Sequence, residues 1–178
     1  DVGVDVLSFG GTKNGAMLGE AVVILAPELR ERLAHDLPYL RKQTMQLGSK
    51  MRYVSAQLTA LLTSTDDAGA PLWRRNAGHA NAMAAHLRER LAPLAERRIL
   101  RFTQPTEANA VFVEMPRSMA AQLRQDRRFY DWQPGTTADT VEVRLMCAWD
   151  TRREACDELA AHAETLAAGV TARVGEQG

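Results

Sequence analysis

Two short runs rich in β-branched residues, Val4 to Phe9 and Glu20 to Leu25, flank a turn segment, Gly10-Gly11-Thr12-Lys13-Asn14-Gly15, that sets one lysine among glycines. The pattern reads as two adjacent buried strands of a mixed sheet with Lys13 at a strand end. Ordinary surface lysines ride on helices or edge strands. Flanking glycines instead let the backbone approach another group closely and aim a single amine at it. Taken alone, the spacing is also that of a solvated loop lysine. It is not a nucleotide-phosphate loop, because G-x-x-x-x-G-K-[ST] needs a hydroxyl residue after the lysine and Asn14 stands there.

Downstream, Pro27 opens a helix over Glu28 to Leu37, and a second helical stretch runs from Pro38 through Gln46 toward Gly48. Lys50 to Leu62 follows with Met51, Val54, Leu58, Leu61 and Leu62 on one face. Thr63 to Pro71 reads as a linker. Ala80, Met83, Ala84, Leu87, Leu91 and Leu94 recur at three- and four-residue intervals, which predicts a long amphipathic helix. From Ile99 the pattern changes to short strands and helices: Ile99 to Phe102, Ala110 to Met115, helix Ser118 to Gln125, Phe129 to Trp132, Val141 to Met146 and a last helix Thr151 to Leu166. With turns at Gln104-Pro105 and Gln133-Pro134-Gly135, this predicts a small α/β domain with a largely antiparallel sheet.

The chain has 178 residues, with 46% hydrophobic and 25% charged, enough to bury a core. Its 22 basic and 22 acidic residues balance, which argues against nucleic acid or an anionic membrane as partner. No apolar run approaches the roughly 20 residues that span a bilayer. Cys147 and Cys156 form neither C-x-x-C nor a disulfide framework, so both are expected as reduced thiols of a cytoplasmic protein. His35, His79, His86 and His162 fall in predicted helices at no metal-ligand spacing, so no metal is expected and they are assigned to surface or interface positions. G-x-S-x-G is absent, and no Ser-His-Asp set stands out.

The segment Ser8-Phe9-Gly10-Gly11-Thr12-Lys13-Asn14-Gly15 resembles the S-F-G-G-T-K-N-G segment of the threonine aldolases, pyridoxal-phosphate enzymes of the aspartate-aminotransferase-like fold, fold type I. Likeness continues through Glu20-Ala21-Val22-Val23, Leu40-Arg41-Lys42-Gln43, Ser49-Lys50-Met51-Arg52-Tyr53 and Arg144-Leu145-Met146 to Trp149-Asp150, nearly the whole chain. It implies the C-terminal half of an α/β protein of about twice this length. Residues 1–70 would be the end of the cofactor-binding large domain with interface helices, 71–98 a bridging helix, 99–168 a small α/β domain and 169–178 a tail. The family's aspartate for the pyridine nitrogen and its ring-stacking histidine precede the lysine segment and have no match here.

By this resemblance Lys13 is the Schiff-base lysine, whose amine must be neutral often enough to attack an aldehyde. Ser8 and Thr12 are candidate donors to the cofactor phosphate, Thr12 matching the small hydroxyl residue before the lysine; a turn-forming threonine bonding its own backbone is the plain alternative. Lys42 and Arg52 match residues that reach a cofactor site across a dimer interface, although Leu47-Gly48-Ser49-Lys50 replaces the commoner G-G-G form before Met51-Arg52. A solvated basic face is the alternative. Arg144 matches the arginine that takes the substrate carboxylate with a planar fork, against a structural ion pair with Glu142 or Asp150; Cys147-Ala148 stands where many relatives have Thr-His. The implied activity is cleavage of L-threonine, L-allo-threonine and related 3-hydroxy amino acids to glycine and an aldehyde by a cytoplasmic homodimer or homotetramer. A β-eliminating lyase of the same fold and an inactive fragment are the rival readings.

Overall fold

Strands β1 (Val6–Gly10) and β2 (Glu20–Ile24) pair antiparallel, with Val6 opposite Ile24 and Gly10 opposite Glu20. They belong to the first of two units into which the chain divides between Asn76 and Ala77. The computed structural model describes residues 2–175. Among these, β1 and β2 form a sheet of their own rather than part of a mixed sheet, and Val6, Leu7 and Val22 are 45%, 44% and 71% exposed. A continuous apolar run signals that both faces are to be covered, but the run does not say what covers them. The expected burial is therefore not met within this unit.

Helix α1 (Pro27–Leu33) starts on its proline with Glu28 in the first turn, and α2 (Leu37–Gln43) also carries a proline, Pro38, in its first turn. The expected helix to Leu37 instead breaks at Ala34 to Asp36, so His35 sits in a turn. After α2, Met45 and Lys50 take φ of 57° and 60°, and the Arg41 Nε–H donates to Gln46 O at 3.1 Å across the bend. Helix α3 (Met51–Thr63) follows and buries Leu61. Of the expected linker Thr63 to Pro71, Thr63 ends α3 and the rest is a loop closed by Asp66, whose Oδ1 accepts from the Ala68 and Ala70 amides at 3.0 and 2.9 Å.

Helix α4 (Leu72–Glu96) carries the chain from the first unit into the second, and all six residues of its predicted apolar face are buried. In the second unit, β3 (Arg101–Phe102), β4 (Ala110–Pro116), β5 (Tyr130–Pro134) and β6 (Thr140–Met146) form an antiparallel sheet in the order β3-β4-β6-β5. Helices α5 (Arg117–Leu123) and α6 (Arg153–Gly175) complete it. Val111, Val113, Met115, Val141, Val143 and Leu145 alternate onto one sheet face and join Leu87, Leu91, Leu94, Leu123 and Ala163 in the core. Pro134, expected in a turn, ends β5 instead, opposite Val141 on an edge strand, where proline is tolerated. The last helix continues past the expected Leu166 to Gly175, into the stretch read as a tail, of which residues 176–178 lie outside the described residues.

On the opposite sheet face Glu114 is buried, and it organises the β5–β6 turn. Its Oε1 accepts from the Thr136 amide and hydroxyl, each at 2.6 Å, and from the Thr140 hydroxyl at 2.7 Å, while Arg101 donates to Oε2 at 2.5 Å. The Thr136 hydrogen bonds, above all, hold its carboxyl down at about 2. Replacing Glu114 with Gln should destabilise the protein by about 1–3 kcal/mol, read as a lower urea midpoint, because an amide cannot accept all these donors. The sign with pH follows from the depressed folded value: the carboxylate's contribution is complete above 4.5, the ordinary value, and is lost as pH falls toward 2. The Gln variant should lack that part of the acid profile, and a variant matching the parent in both midpoint and profile would contradict the role.

Candidate active site

Lys13 lies at the centre of a 3-10 turn, Thr12–Asn14, between β1 and β2. The turn is closed by the Asn14 and Ala16 amides, both donating to Gly11 O, at 2.9 and 3.0 Å, and by Thr12 N–H donating to Gly19 O at 3.2 Å. Thr12 Oγ accepts from the Gly19 amide at 3.2 Å, so its hydroxyl braces the loop while its proton stays free to donate. Bracing the loop therefore leaves the Thr12 hydroxyl proton available. Asn14 ties the turn to the start of α4: its Nδ2 donates to Trp73 O at 3.0 Å, and Asn76 Nδ2 donates to Asn14 O at 2.7 Å. Asn14 Oδ1 is buried without a hydrogen-bond partner among the described residues.

The glycines serve packing as much as approach. A Cβ at Gly11 would stand 2.9 Å from Gly19 O and 3.0 Å from Leu58 Cδ2 on α3, and Gly15 adopts φ of 100°. They press the turn onto α3 and leave Lys13 outward. Lys13 and Ser8 are exposed, and among the described residues neither makes a side-chain hydrogen bond or ion pair. The amine is therefore uncommitted.

Lys42 is in the last turn of α2 and Arg52 in the first turn of α3. Both are exposed and neither has an ion pair among the described residues. Arg52 lies over the Tyr53 ring, 4.7 Å from its centre, and donates to the Tyr53 hydroxyl at 3.3 Å. No hydrogen bond joins Lys42 or Arg52 to Lys13, Thr12 or Ser8.

In the second unit, Arg144 is half-buried on β6, the strand between β4 and β5. The ion pair weighed for it does not form: Glu142 instead accepts the Thr103 hydroxyl at 2.5 Å, and neither Glu142 nor Asp150 bridges to Arg144. Its guanidinium carbon lies 4.4 Å from the centre of the Trp132 ring. All its N–H donors are unpaired among the described residues, so a planar fork stands ready for an acceptor with two oxygens.

Two low specificity L-threonine aldolases, from Pseudomonas sp. and Pseudomonas aeruginosa, are 39% and 40% identical to this chain over 159 residues, which is 89% of it. The solved threonine aldolase of Leishmania major superposes with a TM-score of 0.76 at 28% identity, covering 91% of this chain. Over nearly its whole length the chain is similar to the threonine aldolases. It spans 41% of the length of the two bacterial relatives and 43% of the Leishmania chain. No protein-family profile matches it. Its α/β fold with antiparallel sheets is accordingly that of the matched part of the solved threonine aldolase, a fold type I structure. Among the described residues no helix is long and apolar enough to cross a membrane.

Outside these candidates, several titratable groups of the chain serve structure. His86, expected at the surface or an interface, is buried within the second unit, and its Nε2 lies 2.8 Å from Asp157 Oδ1 on α6. Arg90 Nε approaches the same oxygen at 3.0 Å, and the His86 hydrogen bond is the main reason the Asp157 carboxyl is held low. Sequence spacing could not reveal a pair formed across 71 positions. His79 bonds Thr151 O at 2.7 Å, and His162 lies 3.6 Å from Asp126. Cys147 and Cys156 are free and buried; burial pushes the Cys147 thiol up to about 12 and raises Cys156 as well. Both should therefore resist alkylation at neutral pH in the folded protein and react on denaturation, as peptide mass spectrometry will read. Rapid labelling of the native protein would contradict their burial.

Proposed function

We propose that this chain supplies the cofactor-holding lysine and the carboxylate-binding arginine of a pyridoxal-phosphate-dependent aldolase. Its substrates are L-threonine, L-allo-threonine and related 3-hydroxy amino acids, split into glycine and an aldehyde. The observation that carries the reading is the 39–40% identity to the low specificity L-threonine aldolases.

The donor set fits the cofactor. Lys13 Nζ is an uncommitted amine suited to hold an aldehyde covalently, and the free Thr12 proton and exposed Ser8 hydroxyl suit a phosphate. Lys42 and Arg52 add cations without ion pairs among the described residues, which suits a phosphate reached from a second subunit. We read the protein as a homo-oligomer on that basis and, from its two free thiols, as cytoplasmic. When bound, pyridoxal phosphate supplies an electron sink for the pair released at Cα. With the substrate amine anchored at the cofactor, Arg144 would hold both carboxylate oxygens in its in-plane fork, fixing rotation about the N–Cα bond and so orienting the bond to Cβ.

The assignment of Lys13 is tested in the full-length protein by reducing the loaded enzyme with borohydride and locating the pyridoxyl group by peptide mass spectrometry. The chain offers three lysines, Lys13, Lys42 and Lys50, and the label should fall on Lys13. A label on another lysine overturns the assignment. In parallel, Arg144→Lys should keep cofactor loading and lower kcat/KM for threonine about 10- to 100-fold, since charge survives but the two-point fork does not. Acetaldehyde with glycine supports the aldolase; 2-oxobutanoate with ammonia would favour the eliminating lyase.

A further inference from the structure

We infer that Trp132 is a positioning residue for Arg144, holding the guanidinium plane so that its donor edge meets a carboxylate. This rests on Arg144 being the carboxylate-binding residue. Register is the first observation. In β5, Asp131 pairs with Val143 and Gln133 with Glu142, so Trp132 is the extra residue of a β-bulge, with no partner of its own on β6. Bulges re-aim a side chain and sharpen local twist. Here the bulged residue is the one whose ring face lies against Arg144, at 4.4 Å.

Packing is the second observation. Phe112 on β4 is directly opposite Arg144 in the ladder, and its ring meets Trp132 edge-on at 5.5 Å between centres and 67° between planes. Phe112 therefore steadies the indole while the indole carries the guanidinium. Trp132 is nevertheless 46% exposed on an edge strand, so core packing does not account for a residue of its size.

The chemistry explains why a ring rather than an acid is the partner. An ion-paired carboxylate would consume the N–H fork that the substrate needs. An aromatic face attracts the cation through its quadrupole and restricts tilt while using no N–H. Glu142, the nearby acid on this strand face, is occupied instead by the Thr103 hydroxyl at 2.5 Å.

The test is the affinity of the loaded full-length enzyme for glycine, read from the cofactor absorbance change, in a cycle of Trp132→Leu, Arg144→Ala and the double variant, with Trp132→Phe beside them. Trp132→Leu should weaken glycine about 3- to 30-fold, the range of a partly desolvated cation–π contact. In the Arg144→Ala background the same change should add less than about twofold, because nothing is left to orient. Trp132→Phe, which keeps a ring face, should stay within about threefold of the parent. An equal loss in both backgrounds would mean general damage and overturn the inference, as would a Phe variant as weak as the Leu variant. Normal glycine binding in Trp132→Leu with impaired binding in Arg144→Ala overturns the role of Trp132 while keeping that of Arg144. Unchanged binding in Arg144→Ala removes the reading on which the inference stands.

Discussion

The register of β6 between β4 and β5 decides what the second unit can do. Side chains alternate across a strand, so a slip of one residue would send Val141, Val143 and Leu145 out of the core and turn Arg144 into it. The apolar triplet fixes the register by burial: these residues are 2%, 0% and 4% exposed, against core helices α4, α5 and α6. With that face fixed, Thr140, Glu142 and Arg144 must share the other. Glu114 then reaches across to Thr136 and Thr140 and sets where the β5–β6 turn closes. The bulge at Trp132 follows on the far strand, and the guanidinium rests on it.

The first unit works by a different constraint. Its sheet has only two strands, and a hairpin of that size has marginal stability alone. The Lys13 turn is held from outside the sheet, by the glycine approach to Leu58 and Val54 on α3 and by the Asn14 bonds to Trp73 and Asn76 on α4. That bracing fixes the backbone around Lys13 and leaves its amine without a partner. The exposed faces of β1 and β2 belong to a chain that spans 41% of its bacterial relatives' length.

Sequence reading reached some of this and missed some for physical reasons. The three- and four-residue spacing of α4 is a local signal, and every residue it picked out is buried. The run Ala110 to Met115 likewise marked a strand, and the glycines around Lys13 marked a tight turn. Partnerships over distance were not legible: Glu114 with Thr136, His86 with Asp157, and Trp132 with Arg144 depend on how strands and helices are juxtaposed. Pro134 misled because proline is a turn signal unless the strand lies at an edge, and edge position is a property of the sheet. The apolar runs of β1 and β2 led to an expectation of buried strands in a mixed sheet that this unit does not meet, because such runs hold no information on a covering element. The choice of Lys13 and Arg144 came from family likeness; among the described residues both cationic groups are without acidic partners.

The central claim is that Lys13 holds the cofactor and the Arg144 fork takes the substrate carboxylate. The most direct measurement is a crystal structure of the full-length, cofactor-loaded protein with glycine bound. The account predicts both glycine carboxylate oxygens about 2.7–3.0 Å from Arg144 N–H nitrogens, with the cofactor aldehyde carbon beside Lys13 Nζ. A carboxylate held by another cation, or a cofactor seated against a different lysine, would contradict it.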